Sequence, residues 1–270
     1  MLRTIIVVVT ILFLIYTGAC LFLYFSQESI IFHPTKFSVD YKFNIETKYK
    51  EINLQTKDGI ALNSVLFEAN NPKGVVLYLH GNGDTVESTA YPASIYNNLG
   101  YDVLVPDYRG YGKSGGKIES EKQFYEDMQL FYDLAKENYG EEKVVVMGYS
   151  IGTGPAAYLA SVNNPQALVL HAPYYSLASL VHSNIPFVPD FVLKYQFRTD
   201  QFIPRIIAPI TIFHGTGDNT IPVESSIHLQ KLLQPKDKVF FLENESHNGI
   251  MSNLQYQAEI KNVLQQKRGF

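Results

Sequence analysis

Lys143-Val144-Val145-Val146-Met147-Gly148-Tyr149-Ser150-Ile151-Gly152 runs directly into Thr153-Gly154-Pro155-Ala156-Ala157-Tyr158-Leu159-Ala160. The Val-rich half suits a strand buried on both faces. The Gly-x-Ser-x-Gly that closes it, with a helix-like stretch immediately behind, gives the order strand, tight turn, helix that presents a nucleophilic serine. Gly148 and Gly152 have no Cβ, so strand and helix can approach closely around Ser150. The helix that starts there aims its first amide groups at the same point. Ser150 is the predicted nucleophile.

A second match, Gly112-Lys113-Ser114-Gly115-Gly116, lies several residues beyond the strand-like Asp102–Pro106 in a Gly-rich loop. No helix begins directly after it, so Ser114 reads as structural. Two nucleotide-binding patterns fail in the same way. Gly110-Tyr111-Gly112-Lys113-Ser114 ends like a phosphate loop, but Asp107 stands where its first glycine would fall, and a carboxylate repels phosphate. Gly152-Thr153-Gly154-Pro155-Ala156-Ala157 fits a dinucleotide pattern, but no Asp or Glu occurs between Ser150 and Phe187 to hold a ribose.

Working outward, short runs rich in Val, Ile and Leu alternate with helix-like stretches. Tyr49–Thr56 and Ala61–Ala69 read as a strand pair turning at Lys57-Asp58-Gly59. Gly74–Leu79, Asp102–Pro106, Lys143–Met147, Ala167–Leu170, Ile210–Phe213 and Lys238–Leu242 read as buried strands. Helices are expected over Glu87–Leu99, Glu121–Tyr139, Gly152–Ser161, Val223–Leu233 and Ile250–Gln266. In the second of these, Phe124, Met128, Phe131 and Leu134 recur at helical spacing and read as a core stripe. The alternation predicts one α/β domain around a mostly parallel sheet of about eight strands, with helices on its flanks.

A serine hydroxyl needs a base to take its proton, and the base needs an orienting acid. The serine turn resembles that of the α/β-hydrolases, which implies that the acid and then the base follow the serine in the chain. The strand-like Pro209–Phe213 leads into His214-Gly215-Thr216-Gly217-Asp218, and Asp218 is well placed as the acid. Lys238–Leu242 leads into Glu243-Asn244-Glu245-Ser246-His247-Asn248-Gly249, which puts His247 in a polar loop as the base. His171 and His214 sit at strand ends and His228 within a helix; all three are less well placed. Before Ser150, Leu77-Tyr78-Leu79-His80-Gly81-Asn82-Gly83 puts a His-Gly loop after a strand. There a backbone N–H of Asn82, or of its neighbour Gly83, completes an oxyanion hole with the N–H of Ile151. His80 reads as a loop-shaping residue.

Taken together, H-G-N-G (80–83), D-Y-R-G-Y-G-K-S (107–114), G-Y-S-I-G-T-G-P (148–155), H-G-T-G-D (214–218) and S-H-N (246–248) resemble the α/β-hydrolase superfamily. Within it, the likeness is to the membrane-anchored α/β-hydrolase-domain proteins related to depalmitoylating thioesterases and bud-emergence hydrolases. It spans about residues 26–265. The resemblance implies an α/β-hydrolase fold and acyl transfer by a Ser150, Asp218 and His247 triad, with no metal or organic cofactor. It also implies a structural role for Arg109 in tying loops together. The expected substrate is a small-molecule or lipidated acyl ester or thioester. A peptidase or amidase with the same triad, and a tethered binding protein with a vestigial site, are the alternatives. Epoxide or dehalogenase chemistry would need an aspartate where Ser150 stands.

The chain has 270 residues, net charge −4 and a single cysteine, Cys20. One large domain is expected, no intrachain disulfide can form, and nothing in the charge pattern favours nucleic acid as a partner. The first 25 residues stand apart. Thr4 to Phe25 carries no charge, and at 1.5 Å per residue it covers a hydrocarbon core of about 30 Å. An uncleaved transmembrane anchor is expected here. A signal peptide is the rival reading, with a shorter apolar core and a small-residue cleavage site. Arg3 on one flank and Glu28 on the other put the N-terminus in the cytosol and the domain on the extracytoplasmic side. Residues 26–48 read as a connector in which His33 has no evident partner, and 49–270 as the hydrolase domain. The aromatic and Pro-rich excursion at about 174–205 is expected to form a small cap, its apolar side chains either lining the pocket or packing the cap onto the core.

Overall fold

The computed structural model describes residues 1–265; the expected helix end at Gln266 and domain end at 270 lie outside them. The chain opens with helix α1 (Leu2–Ile31), then strands β1 (Tyr49–Gln55), β2 (Ala61–Phe67) and β3 (Gly74–Leu79). Helix α2 (Ala90–Asn98), strand β4 (Tyr101–Pro106), helix α3 (Glu121–Tyr139), strand β5 (Val144–Tyr149) and helix α4 (Thr153–Val162) follow. Next come β6 (Ala167–His171), α5 (Leu177–Asn184), α6 (Thr199–Phe202), β7 (Ile210–Gly215), α7 (Glu224–Gln230), β8 (Lys238–Leu242) and α8 (Leu254–Gln265).

All 8 strands form one sheet in the order β1-β2-β4-β3-β5-β6-β7-β8. β1, β2 and β4 pair antiparallel, and every pairing from β4 through β3 to β8 is parallel. The apolar runs that mark β3, β4 and β6 are buried along their whole length, as two covered faces require. Alternation along the strands divides the core. Val75, Leu77, Val144, Val146 and Leu168 pack with side chains of α3, α4 and α7. Val76, Tyr78, Val145, Met147 and Val169 pack instead with side chains of α2 and α8. The Phe124, Met128 and Phe131 stripe of α3 is fully buried in the first of these layers.

After β3 the chain goes to β4 on one side and returns to β5 on the other, so the strand order reverses between β3 and β5. Loops leaving the carboxyl ends of parallel strands at such a point diverge and leave a crevice. The loops after β3, β5, β7 and β8 therefore gather at one edge of the sheet.

Two segments differ from expectation. α1 continues six residues past Phe25 to Ile31. Nothing in Ser26–Ile31 breaks a helix, whereas Pro34 disfavours helical backbone at His33 just beyond the end. The excursion at about 174–205 folds into α5, a single turn at Asp190–Val192 and α6, and it lies along α1. The Gln27 amide donates to the Val192 carbonyl (2.8 Å) and accepts from the Lys194 N–H (2.9 Å). Lys194 also pairs with Glu28 at 3.1 Å.

Candidate active site

Ser150 sits at the end of β5 with φ +53°, in the left-handed region that non-glycine residues seldom occupy. A single 3₁₀ turn, Ser150–Gly152, leads from it into α4. The turn is possible because its glycines are bare. A Cβ on Gly148 would come 2.6 Å from the Gly152 carbonyl, and one on Gly152 would collide with the carbonyl of Leu79. The Thr153 hydroxyl donates to the Ser150 carbonyl (2.6 Å) and the Tyr174 hydroxyl to that of Ile151 (3.1 Å), which braces the turn from both sides.

The chain brings together the three residues expected to act as a triad. His247 Nε2 lies 3.0 Å from Ser150 Oγ, and His247 Nδ1 lies 2.6 Å from Asp218 Oδ2. The second carboxylate oxygen of Asp218 accepts from the N–H groups of Thr220 (2.8 Å) and Ile221 (2.9 Å). Burial alone would raise the Asp218 pKa. Hydrogen bonds from His214, His247 and the Ile221 amide outweigh it and hold the carboxyl well below the usual carboxylate range. Asp218 is therefore an anion at neutral pH, in position to hold Nδ1–H and leave Nε2 free to accept a proton from Ser150.

His214, disfavoured as a base, is a second partner of the acid. Its Nε2 is 3.3 Å from Asp218 Oδ2 and 2.9 Å from the Ile221 carbonyl, while Nδ1 meets Ser226 Oγ at 2.7 Å. Tyr149 is the other residue that sequence reasoning passed over. Its ring packs against His247 at 5.3 Å, and its hydroxyl bonds Asn248 at 2.5 Å, so it steadies the loop that carries the histidine.

Asn82 follows β3 beside Ser150, where the oxyanion loop was expected, and its side chain is fully engaged. The amide donates to the Ile31 carbonyl at 2.7 Å and lies 3.2 Å from His33 Nδ1. Its oxygen accepts from the His33 N–H (2.9 Å) and the Tyr111 hydroxyl (2.7 Å). One position on, the Gly83 carbonyl accepts from Thr35 Oγ1 at 2.9 Å. The segment after α1 is thus strapped to this loop. His33, expected without a partner, is part of the strap, because it meets a loop far away in sequence. His80 is buried, stacked on Tyr108 at 4.2 Å and bonded to the Gly81 carbonyl at 2.8 Å, in keeping with a loop-shaping role. Ser114 donates to the Asp107 carbonyl (2.7 Å) and accepts from the Asn63 N–H (2.8 Å), both structural bonds.

A cavity of about 570 Å³ opens onto Ser150 and His247. Asn82, Asp84, Tyr91 of α2 and Met251 of the stretch before α8 are among the residues that line it. No residue of 174–205 contributes to this lining, so the excursion expected as a cap does not supply the pocket's apolar wall. His171 lies at the cavity floor, fully buried, with neither ring nitrogen bonded among the described residues. Burial pushes its imidazole down to about 3, which keeps it neutral at physiological pH.

Comparison with known proteins agrees with this architecture. The family described as "Serine aminopeptidase, S33" matches residues 70–201. Alpha/beta hydrolase domain-containing protein 17B of Homo sapiens is 30% identical over 205 residues, covering 73% of this chain and 68% of the relative. Alpha/beta hydrolase domain-containing protein aho-3 of Caenorhabditis elegans is 29% identical over 197 residues; the matched region covers 72% of this chain but only 58% of that protein. Among solved structures, the esterase Pf2001 of Pyrococcus furiosus superposes with a TM-score of 0.70 at 20% identity, over 88% of this chain and 100% of its own, a likeness of fold. By strand order, site location and these relatives, the chain belongs to the alpha/beta-hydrolase superfamily.

Proposed function

We propose that this chain is a membrane-anchored serine hydrolase that cleaves carboxylic ester or thioester bonds through an acyl-enzyme. The observation that carries the reading is the continuous series from Asp218 through His247 to Ser150, at 2.6 and 3.0 Å, on a strained strand-to-helix turn. His247 Nε2 takes the hydroxyl proton as Ser150 Oγ attacks the carbonyl carbon, and Asp218 stabilises the imidazolium that forms. The backbone N–H groups of Asn82 and Ile151 hold the oxyanion. Collapse expels the alcohol or thiol, which receives the proton from His247. Water, activated by the same histidine, then releases the acid and restores Ser150.

α1 supplies the anchor: it is 30 residues long, strongly apolar, and its span-forming window is unburied by the rest of the chain. With Arg3 before the apolar run and Glu28 after it, the N-terminus faces the cytosol and the domain the opposite side.

A second reading, amide or peptide hydrolysis with the same triad, rests on two observations. The matched family is described as a serine aminopeptidase, and Asp84 puts a carboxylate in the cavity wall, where it could meet a substrate ammonium. A panel of chain-length-graded esters and thioesters set against aminoacyl amides separates the two readings. The triad itself is tested with a fluorophosphonate probe. Wild-type protein is expected to be labelled and Ser150→Ala to lose labelling while keeping its circular dichroism spectrum. Undiminished labelling of that variant would sink the assignment.

A further inference from the structure

The excursion between β6 and β7 leaves large apolar side chains bare at its tip. Ile185-Pro186-Phe187-Val188-Pro189-Asp190-Phe191 includes Phe187 at 80% exposure and Phe191 at 84%, with Ile185 at 48%. A water-facing loop rarely leaves two such rings uncovered within five residues, and exposed apolar patches of this kind mark interaction surfaces.

What covers the tip follows from where it lies. The segment runs alongside α1 and is pinned to it at two heights. Near the end of α1, Gln27 bonds Val192 and Lys194, and the Glu28 carboxylate receives the Lys194 ammonium (3.1 Å) and the Tyr195 hydroxyl (3.2 Å). Further down, the Tyr16 hydroxyl donates to the Phe187 carbonyl at 2.8 Å. Tyr16 lies nine positions before Phe25, where the uncharged run ends, which is about 14 Å along the helix axis. A bilayer that covers Thr4–Phe25 therefore also covers the level of Phe187. The polar groups are arranged accordingly. Glu28, Gln27, Lys194 and Tyr195 cluster at the end of α1 near the domain, and Lys194 stands over the Tyr24 ring at 4.6 Å in the manner of an interfacial anchor. Asp190, the one ionisable residue of 185–191, pairs with His182 at 3.3 Å. The Phe187 carbonyl, which lipid could not hydrate, has its donor in Tyr16.

We propose that the 185–191 tip is a second membrane contact, whose Phe187 and Phe191 rings enter the acyl-chain region of the leaflet from which α1 emerges. This rests on the membrane-anchor reading above and adds to it. One helix leaves a domain free to swing and rotate on its tether. Two attachments fix the domain's face toward the bilayer and hold the Ser150 cavity at a set height, which suits substrates presented by a membrane.

The chain contains no tryptophan, so single substitutions give site-specific depth probes. Phe187→Trp, Phe191→Trp and, within α1, Phe13→Trp are each reconstituted into phosphatidylcholine vesicles with or without bromines on the acyl chains. All three rings are left uncovered by the rest of the chain, so a larger ring fits at each without disturbing the fold. The expected result is that all three indoles emit blue-shifted light, lose most of their intensity to the brominated chains and resist aqueous acrylamide. Quenching of Phe13→Trp alone, with both tip probes open to acrylamide, overturns the second contact and leaves the anchor standing. If Phe13→Trp also escapes the bromines, the anchor reading fails and the tip proposal falls with it.

Discussion

At the residue scale the site depends on a few side chains held in costly states. Ser150 accepts a left-handed backbone, and Asp218 stays ionised despite burial because bonds from His214, His247 and the Ile221 amide outweigh the burial. His171 is the opposite case, a neutral imidazole in the floor with edge-on Phe213 and Tyr256 rings and no bonded partner among the described residues. An unfolded histidine titrates near about 6.5, and burial puts the folded value at about 3. Between those limits the unfolded chain binds a proton that the folded one does not. The neutral state therefore costs nothing above about pH 6.5, and below it stability falls by up to about 1.4 kcal/mol per pH unit. His171→Leu is expected to show a smaller drop in Tm than wild type between about pH 7 and pH 5, whatever its Tm at neutral pH. Equal drops in the two proteins would show that this histidine does not set the acid response.

At the scale of elements, the loop after β3 takes its shape from a segment more than 45 positions earlier in the chain. Asn82 joins Ile31, His33 and Tyr111, and Thr35 joins Gly83, so the end of α1 is tied to the loop after β3. Asn82→Ala removes the bonds made by the Asn82 side chain but keeps its backbone N–H and the Thr35–Gly83 bond. Loss of a direct oxyanion donor costs on the order of 10²–10³ in kcat; losing only the strap is expected to cost about tenfold. The loss should appear in kcat with a short aryl ester, with KM nearly unchanged, because the carbonyl is held most tightly in the transition state. Unchanged kcat would reduce the strap to a passive contact.

At the scale of the whole molecule, Arg109 ties the antiparallel edge of the sheet to the helical layer. Its guanidinium meets Asp58 in the β1–β2 turn with two bonds of 2.7 Å, and Asp127 of α3 at 2.5 and 3.0 Å. Burial pushes the Asp127 carboxyl up, and Arg109 opposes that rise. Arg109→Met leaves a buried carboxylate without its partner, and the expected loss is about 3 kcal/mol in urea unfolding at neutral pH. Adding Asp127→Leu should recover much of it, since the penalty lies in the stranded charge more than in the missing pair. If the double variant proves no more stable than the single one, stranded charge is not the cause.

The sequence by itself was enough for the α/β alternation, the two-faced burial of the parallel strands and the serine turn. Each is written in local terms: Val-rich runs, helical spacing of apolar residues, and glycines where no Cβ fits. That the loops carrying Ser150, Asp218 and His247 could meet was legible too, because the carboxyl ends of parallel strands share one edge. Tertiary structure decided what depends on partners remote in the chain. Nothing near His33 announces Asn82, and nothing near Phe187 announces Tyr16, 171 positions away. The excursion's composition shows that its aromatic side chains need apolar neighbours, but only the packing shows that Tyr174, Tyr195 and Phe197 find them in the core beside α3 and not in the Ser150 cavity. Periodicity records which face of an element is buried, whereas the identity of what buries it is settled only when the chain closes on itself.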